Sequence, residues 1–121
     1  MDSQIKQRWI TALRSGEYAQ GTGTLKSDQG FYCLGVLCDL YAKETGTEWK
    51  PKYIRGGEPL PYYFLDGASA ILPESVKEWA GLDIQNPDIK LTKTYGEFSL
   101  SKFNDLGFKF EEIAQLIEEE F

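Results

Sequence analysis

Tyr32-Cys33-Leu34-Gly35-Val36-Leu37-Cys38-Asp39-Leu40-Tyr41 is an almost wholly apolar run in which Asp39 is the only charged residue. The run is longer than a typical buried strand and continues into Ala42-Lys43-Glu44, so it predicts a buried helix over 33–44 that ends at Gly46. Gly35 costs such a helix about 1 kcal/mol relative to alanine. A glycine at this place indicates that another backbone packs closely against the helix.

Helical and strand patterns alternate on both sides of this helix. An amphipathic helix is predicted over 2–15, with Ser3 as its N-cap. The other predicted elements are a hairpin with strands near 23–26 and 30–32, and a strand over 47–54 whose Pro51 places it at a sheet edge or a bulge. They continue with a mobile loop over 55–61, a strand over 62–65, a helix over 72–81, a strand or extended connection over 88–92, and helices over 100–105 and 110–120. This order predicts an α+β protein in which several helices pack on a short antiparallel sheet and the last two form a helical hairpin.

The length of 121 residues predicts a single domain over 1–121. No apolar run approaches the ~20 residues that a membrane helix needs, and the start of the chain has no signal-peptide pattern. Cys33 and Cys38 would point about 140° apart on a helix, so no disulfide is expected between them. These observations predict a cytoplasmic protein with both thiols in its core and no membrane partner.

The formal net charge of −6 argues against a protein that binds the phosphate backbone of a nucleic-acid duplex. The last two helices have the spacing of a helix-turn-helix, but the segment 110–120 carries five carboxylates and no base. Such a helix would repel phosphates. Its acidic side is left as one alternative functional site, a surface that binds another protein.

Histidine is absent, which excludes a Ser-His-Asp triad, a Cys-His pair and an imidazole metal site within one chain. We therefore predict no catalytic residue, no metal site and no cofactor. Asp39 is the exception that stays open, because an acid inside an apolar helix needs a partner such as Arg14 or a backbone N–H. It is interpreted as a structural ion pair or, alternatively, as the buried carboxylate of a small hydrolase of a nucleotide signal.

Aromatic residues concentrate in the middle of the chain, around the glycines at 56–57 and close to Lys50, Lys52 and Arg55. Rings beside cations suit the stacking of a planar anionic ligand, or a hot spot for a protein partner. The alternative is that they form a second layer of the core. The predicted ligand-binding residues are Trp49, Tyr53, Arg55, Tyr62 and Tyr63. An aromatic content of 14% is also compatible with a homo-oligomer.

Three motifs resemble those of a family of small uncharacterised proteins carried by phages and prophages. They are Trp9-x3-Leu13-Arg14-Ser15-Gly16-x-Tyr18-x-Gln20-x2-Gly23, the run Gly30-Phe31-Tyr32-Cys33-Leu34-Gly35-Val36-Leu37-Cys38-Asp39-Leu40, and Asn104-Asp105-x-Gly107-x2-Phe110-x-Glu112-Ile113-Ala114. The resemblance covers most of the chain but little of 47–95. It implies a phage accessory protein that opposes host defence, and it carries over no catalytic residue. We expect a non-enzymatic binding module that sequesters a nucleotide-like ligand or blocks a host protein.

Overall fold

The elements of the chain follow the order that the sequence patterns predict, with changed bounds and one additional strand. A computed structural model describes residues 1–53, 56–91 and 96–121, so Arg55 of the predicted site lies outside the described residues. The elements are α1 (Ser3–Arg14), β1 (Lys26–Ser27), β2 (Gly30–Phe31), α2 (Cys33–Thr45), β3 (Lys50–Tyr53), β4 (Pro59–Phe64), α3 (Glu74–Ala80), β5 (Asp88–Leu91), β6 (Gly96–Ser99), α4 (Leu100–Asp105) and α5 (Phe110–Glu120). The α+β class is confirmed.

Four short strands form one antiparallel sheet in the order β2-β1-β4-β3. Strand β4 begins at Pro59, inside the segment that we predicted to be a mobile loop, because Pro59 pairs with Tyr53 across an irregularity in the register. A separate ladder joins β5 to β6. Strand β6 was not predicted, since Gly96–Ser99 is too short to show an alternating pattern.

Helix α2 lies at the centre of the molecule and buries both of its cysteines, which are free. The close approach expected at Gly35 is present, because a Cβ there would lie 1.7 Å from the carbonyl oxygen of Leu25. The indole of the fully buried Trp9 donates to the carbonyl of Cys33 at 2.9 Å and joins α1 to the start of α2. Helix α1 also packs along α5.

The first helix is capped one residue earlier than the sequence suggested. The Asp2 carboxylate accepts a hydrogen bond from the backbone N–H of Ile5 at 2.9 Å, so Asp2 and not Ser3 is the N-cap. Asp is as good a cap as Ser, and an acid also favours the positive end of the helix dipole. Helix α4 is capped by Ser99, whose hydroxyl accepts a hydrogen bond from the backbone N–H of Lys102.

A buried amide network connects the loop before β1 to the C-terminal helices. Asn104 is 1% exposed; its side-chain oxygen accepts from the Cys33 N–H at 3.1 Å, and its amide donates to the Gly21 carbonyl at 2.8 Å. Gln20 donates to the Phe108 carbonyl at 2.7 Å and accepts from the Phe110 N–H. These two amides therefore hold the loop, α2, α4 and α5 in one arrangement.

Within the three described ranges, no helix is both long enough and apolar enough to cross a membrane.

Candidate functional site

A half-buried lysine on β1 lies among three aromatic rings. The Lys26 ammonium nitrogen is 5.5 Å from the ring centroid of Phe31, 5.5 Å from that of Trp49 and 5.0 Å from that of Tyr63. Phe31 is the direct partner of Lys26 on β2. Ser27 pairs with Tyr62 on the antiparallel strand β4. Lys26, one residue before Ser27, therefore lies opposite Tyr63, one residue after Tyr62.

Neighbouring contacts hold these rings in position. The Tyr18 ring meets Phe31 edge-on, with centroids 5.1 Å apart and planes at 87°, and Phe31 meets Trp49 at 6.1 Å and 70°. These are the orientations that ring quadrupoles favour. The Tyr63 hydroxyl donates to Asp28 at 3.1 Å. We call the set Tyr18, Lys26, Phe31, Trp49 and Tyr63 the aromatic–lysine face.

Lys26 has no acidic partner on this face. It forms no salt bridge with any carboxylate of the described residues, although its side chain is half-buried. The three rings offset part of the cost of removing the ammonium from water, through cation–π attraction. Its N–H donors remain available to an incoming oxygen atom.

Asp39 lies beside the aromatic–lysine face and is almost fully enclosed. Its carboxylate accepts from the Tyr18 hydroxyl at 2.6 Å and from the Trp49 indole at 3.1 Å, and it pairs with Lys43 at 3.2 Å. A structural ion pair is therefore present, but its cation is Lys43 rather than Arg14. The Arg14 expectation was wrong, because that guanidinium reaches Glu111 and Glu118 on α5, at 3.3 and 3.1 Å.

The surroundings of Asp39 decide its charge state. Burial acts to raise its pKa, but the hydrogen bonds from Tyr18, Trp49 and Lys43 and the Lys43 charge outweigh it, so the pKa is lowered. Burial, followed by the hydrogen bond to Asp39, raises the pKa of Tyr18. The Asp39 carboxylate is therefore an ionised hydrogen-bond acceptor, and the neutral phenol of Tyr18 lies beside it. This carboxylate orients the side chains of Trp49 and Tyr18.

Replacing Asp39 by asparagine is expected to destabilise the protein by about 1–2 kcal/mol at neutral pH, since it loses charge-assisted hydrogen bonds. Because the pKa of Asp39 is lower in the folded protein than the ordinary value of about 3.9, its contribution is fully present above that value and is lost as the pH falls through the folded pKa. Urea unfolding of both proteins between neutral and strongly acidic pH should show the stability gap closing on acidification. A gap that is constant with pH would contradict this assignment.

The sheet divides the predicted ligand-binding residues between its two faces. Trp49 and Tyr63 meet at Lys26, as described above. Tyr62 and Phe64 point to the opposite face, with centroids 5.7 Å apart, because side chains alternate along a strand. Tyr53 on β3 is 59% exposed. Arg55 lies outside the described residues.

Sequence reasoning missed Lys26, Phe31 and Tyr18 as members of the site. The hairpin around Ser27–Gly30 carried a usable signal, since the turn sets Lys26 opposite Phe31. Strand β4 begins more than thirty residues after β1. Nothing in the sequence indicated that it would place Tyr63 beside Lys26 and Phe31.

Both cysteine thiols are shielded from solvent. Burial raises the pKa of the Cys33 thiol to about 12 and also raises that of Cys38, so neither supplies a thiolate near neutral pH. In the part of the chain that the structure describes, no cluster of three acidic or thiol groups could hold a metal ion. The side chains of Glu118, Glu119 and Glu120 on α5 are exposed, as a surface for a protein partner would require.

Comparison with known proteins gives one relationship. No curated protein and no solved structure matches the chain. A family model described as a domain of unknown function, DUF8296, matches residues 1–121, and the chain therefore belongs to that family.

Proposed function

We propose that this protein is a non-enzymatic binding module that holds a small, planar, anionic ligand of the nucleotide type on the aromatic–lysine face. One observation carries the proposal: the ammonium of half-buried Lys26 lies 5.0–5.5 Å from three ring centroids and has no carboxylate partner among the described residues. An anionic oxygen supplies the charge partner that this ammonium lacks. A flat ring system supplies a stacking partner for the neighbouring side chains.

The energetics favour an anion at this place. A charge pair is stronger where protein replaces part of the surrounding water, and the three rings beside the Lys26 ammonium do so. The rings are already held by edge-to-face contacts and by the bond from Trp49 to Asp39. Little side-chain freedom is then lost on binding, which increases affinity.

The contacts of Asp39 favour holding over conversion of the ligand. Its hydrogen bonds to Tyr18, Trp49 and Lys43 stabilise the ionised form, whereas a general acid or base works best with a pKa near the working pH. The alternative, a hydrolase that uses Asp39, predicts turnover that is lost in Asp39→Asn. In a phage accessory protein acting in the host cytoplasm, the module would sequester a nucleotide signal of host defence.

A second candidate function is the blocking of a host protein through the same side of the sheet. The exposed ring of Tyr53, 59% accessible on the edge strand β3, favours it. Tyrosines of this kind are frequent anchors of protein interfaces.

Ligand binding is tested with Lys26→Met, which keeps the apolar stem and removes the charge. Cyclic dinucleotides, ADP-ribose and adenosine monophosphate are the probes, measured by thermal shift and by quenching of tryptophan fluorescence. A probe that binds the natural protein should bind Lys26→Met at least about tenfold more weakly, since a hydrogen bond to a charged group contributes about 1.5–3 kcal/mol. Lys102→Met on α4 is the matched control, because Lys102 is exposed and outside the face.

Two results would overturn the ligand proposal. One is equal affinity of Lys26→Met and Lys102→Met for every probe that binds. The other is no response to any probe, together with a purified host protein whose binding is lost in Tyr53→Ala. The second result would establish the protein-blocking function instead.

A further inference from the structure

A second concave site lies on the other face of the sheet, beside the β1–β2 hairpin. It encloses about 430 Å³. The ring of Tyr62 contributes an aromatic wall, and Asp28, Gln29 and Thr22 contribute polar groups. We call this cavity the hairpin pocket.

The aromatic wall is firmly supported. Tyr62 is half-buried, and the tilted ring of Phe64 lies 5.7 Å from it, centroid to centroid. The pairing of Tyr62 with Ser27 fixes the backbone beneath the ring. A flat apolar surface of this kind binds the C–H face of a ring-shaped ligand.

The polar groups have hydrogen-bonding capacity to spare. The side chains of Thr22 and Gln29 and the hydroxyl of Tyr62 form no hydrogen bond with any described residue. Asp28 uses its Oδ1 atom to accept from the Tyr63 hydroxyl, which leaves Oδ2 for a ligand. Together they offer hydroxyl, amide and carboxylate groups around one aromatic ring, and these groups can both donate to and accept from ligand hydroxyls.

The charge of the pocket selects the class of ligand. Asp28 is the one charged residue among the described residues that line the hairpin pocket. A carboxylate accepts from hydroxyl groups, as the acidic residue of dinucleotide-binding folds does with ribose. It repels a phosphate or a carboxylate.

We propose that the hairpin pocket is a binding site for a neutral sugar. The sugar stacks its C–H face on Tyr62 and donates hydroxyl groups to Asp28. The site does not rest on the proposed function: the anionic ligand would bind on the opposite face of the sheet, and the two sites touch only through the hydrogen bond from Tyr63 to Asp28.

The proposal is tested by following backbone amide resonances of the isotope-labelled protein while D-glucose, D-ribose and N-acetylglucosamine are added. At least one sugar should shift the amides of Thr22–Gln29 in a saturable manner, with a dissociation constant of about 1–10 mM. Glucose 6-phosphate should bind more weakly than glucose, since Asp28 repels its phosphate.

Two variants place the effect at the pocket. Tyr62→Leu should weaken sugar binding about fivefold or more, whereas Tyr53→Leu, on the exposed edge strand, should leave it unchanged. If Tyr62→Leu does not fold, the double variant Thr22→Ala/Gln29→Ala at exposed positions replaces it, and the same loss is expected. No saturable shift with any of the three sugars, tighter binding of the sugar phosphate, or unchanged binding in the folded pocket variant would each overturn the proposal.

Discussion

Replacing Gly35 by alanine is expected to lower the free energy of unfolding by about 3 kcal/mol or more, which is a large part of the stability of a small domain. The added Cβ would lie 1.7 Å from the carbonyl oxygen of Leu25 and 2.6 Å from its carbonyl carbon. Backbone atoms cannot rotate away as a side chain can. Relief would require the start of α2 to separate from Leu25, although Gly35 and Leu25 are both buried. Urea denaturation followed by circular dichroism measures the loss.

Gly16→Ala is the matched control for this substitution. Gly16 has a φ of +78°, but a Cβ there meets no atom within 4 Å. Gly16→Ala should therefore lower the free energy of unfolding only through backbone strain, by about 1–2 kcal/mol. If Gly35→Ala were no more destabilising than Gly16→Ala, the result would contradict the close contact between the α2 backbone and the Leu25 carbonyl.

Asn104→Ala is expected to destabilise the protein by about 3 kcal/mol or more, because it leaves several buried polar groups without partners. The Cys33 N–H loses its acceptor at 3.1 Å, and the Gly21 carbonyl loses its donor at 2.8 Å. Gln20 also loses a contact at 3.1 Å. Thermal and urea unfolding measure the effect, and amide hydrogen exchange should speed up at Cys33 first.

Asn86→Ala is the control for the loss of an amide. Asn86 is only half-buried and bonds to Ser101, so water can satisfy the groups that it leaves. We expect a cost of about 1 kcal/mol. Equal costs for the two alanine variants would mean that the Asn104 network does not hold the loop against the helices.

The motifs that carry the family resemblance belong mostly to the frame of the molecule. Gln20 and Asn104 connect buried loops and helices, and Gly35 allows two backbones to meet. Trp49 and Tyr63 of the aromatic–lysine face come instead from the segment 47–95, which carries little of the resemblance. The aromatic–lysine face therefore combines Tyr18 and Phe31, which stand in those motifs, with Lys26, Trp49 and Tyr63, which stand outside them.

The sequence by itself determined the α+β class, the positions of the helices that the structure describes and the burial of α2. These follow from local periodicity, capping residues and glycines, which act within one or two turns of chain. It also indicated that Gly35 faces another backbone. The identity of that backbone, Leu25, could not be predicted, because a glycine reveals the need for space and not the partner that occupies it.

Only the tertiary structure decided which side chains share a face. A shift of one residue in strand register moves a side chain to the other side of the sheet. Adjacent tyrosines 62 and 63 therefore serve different surfaces. Asp39 combines both cases. Its cation, Lys43, stands four residues later on the same helix, a spacing that local sequence already brings together, whereas its contacts with Tyr18 and Trp49 depend on the tertiary structure. Pairings between distant strands and helices depend on the packing of the whole core, and local sequence patterns do not specify them.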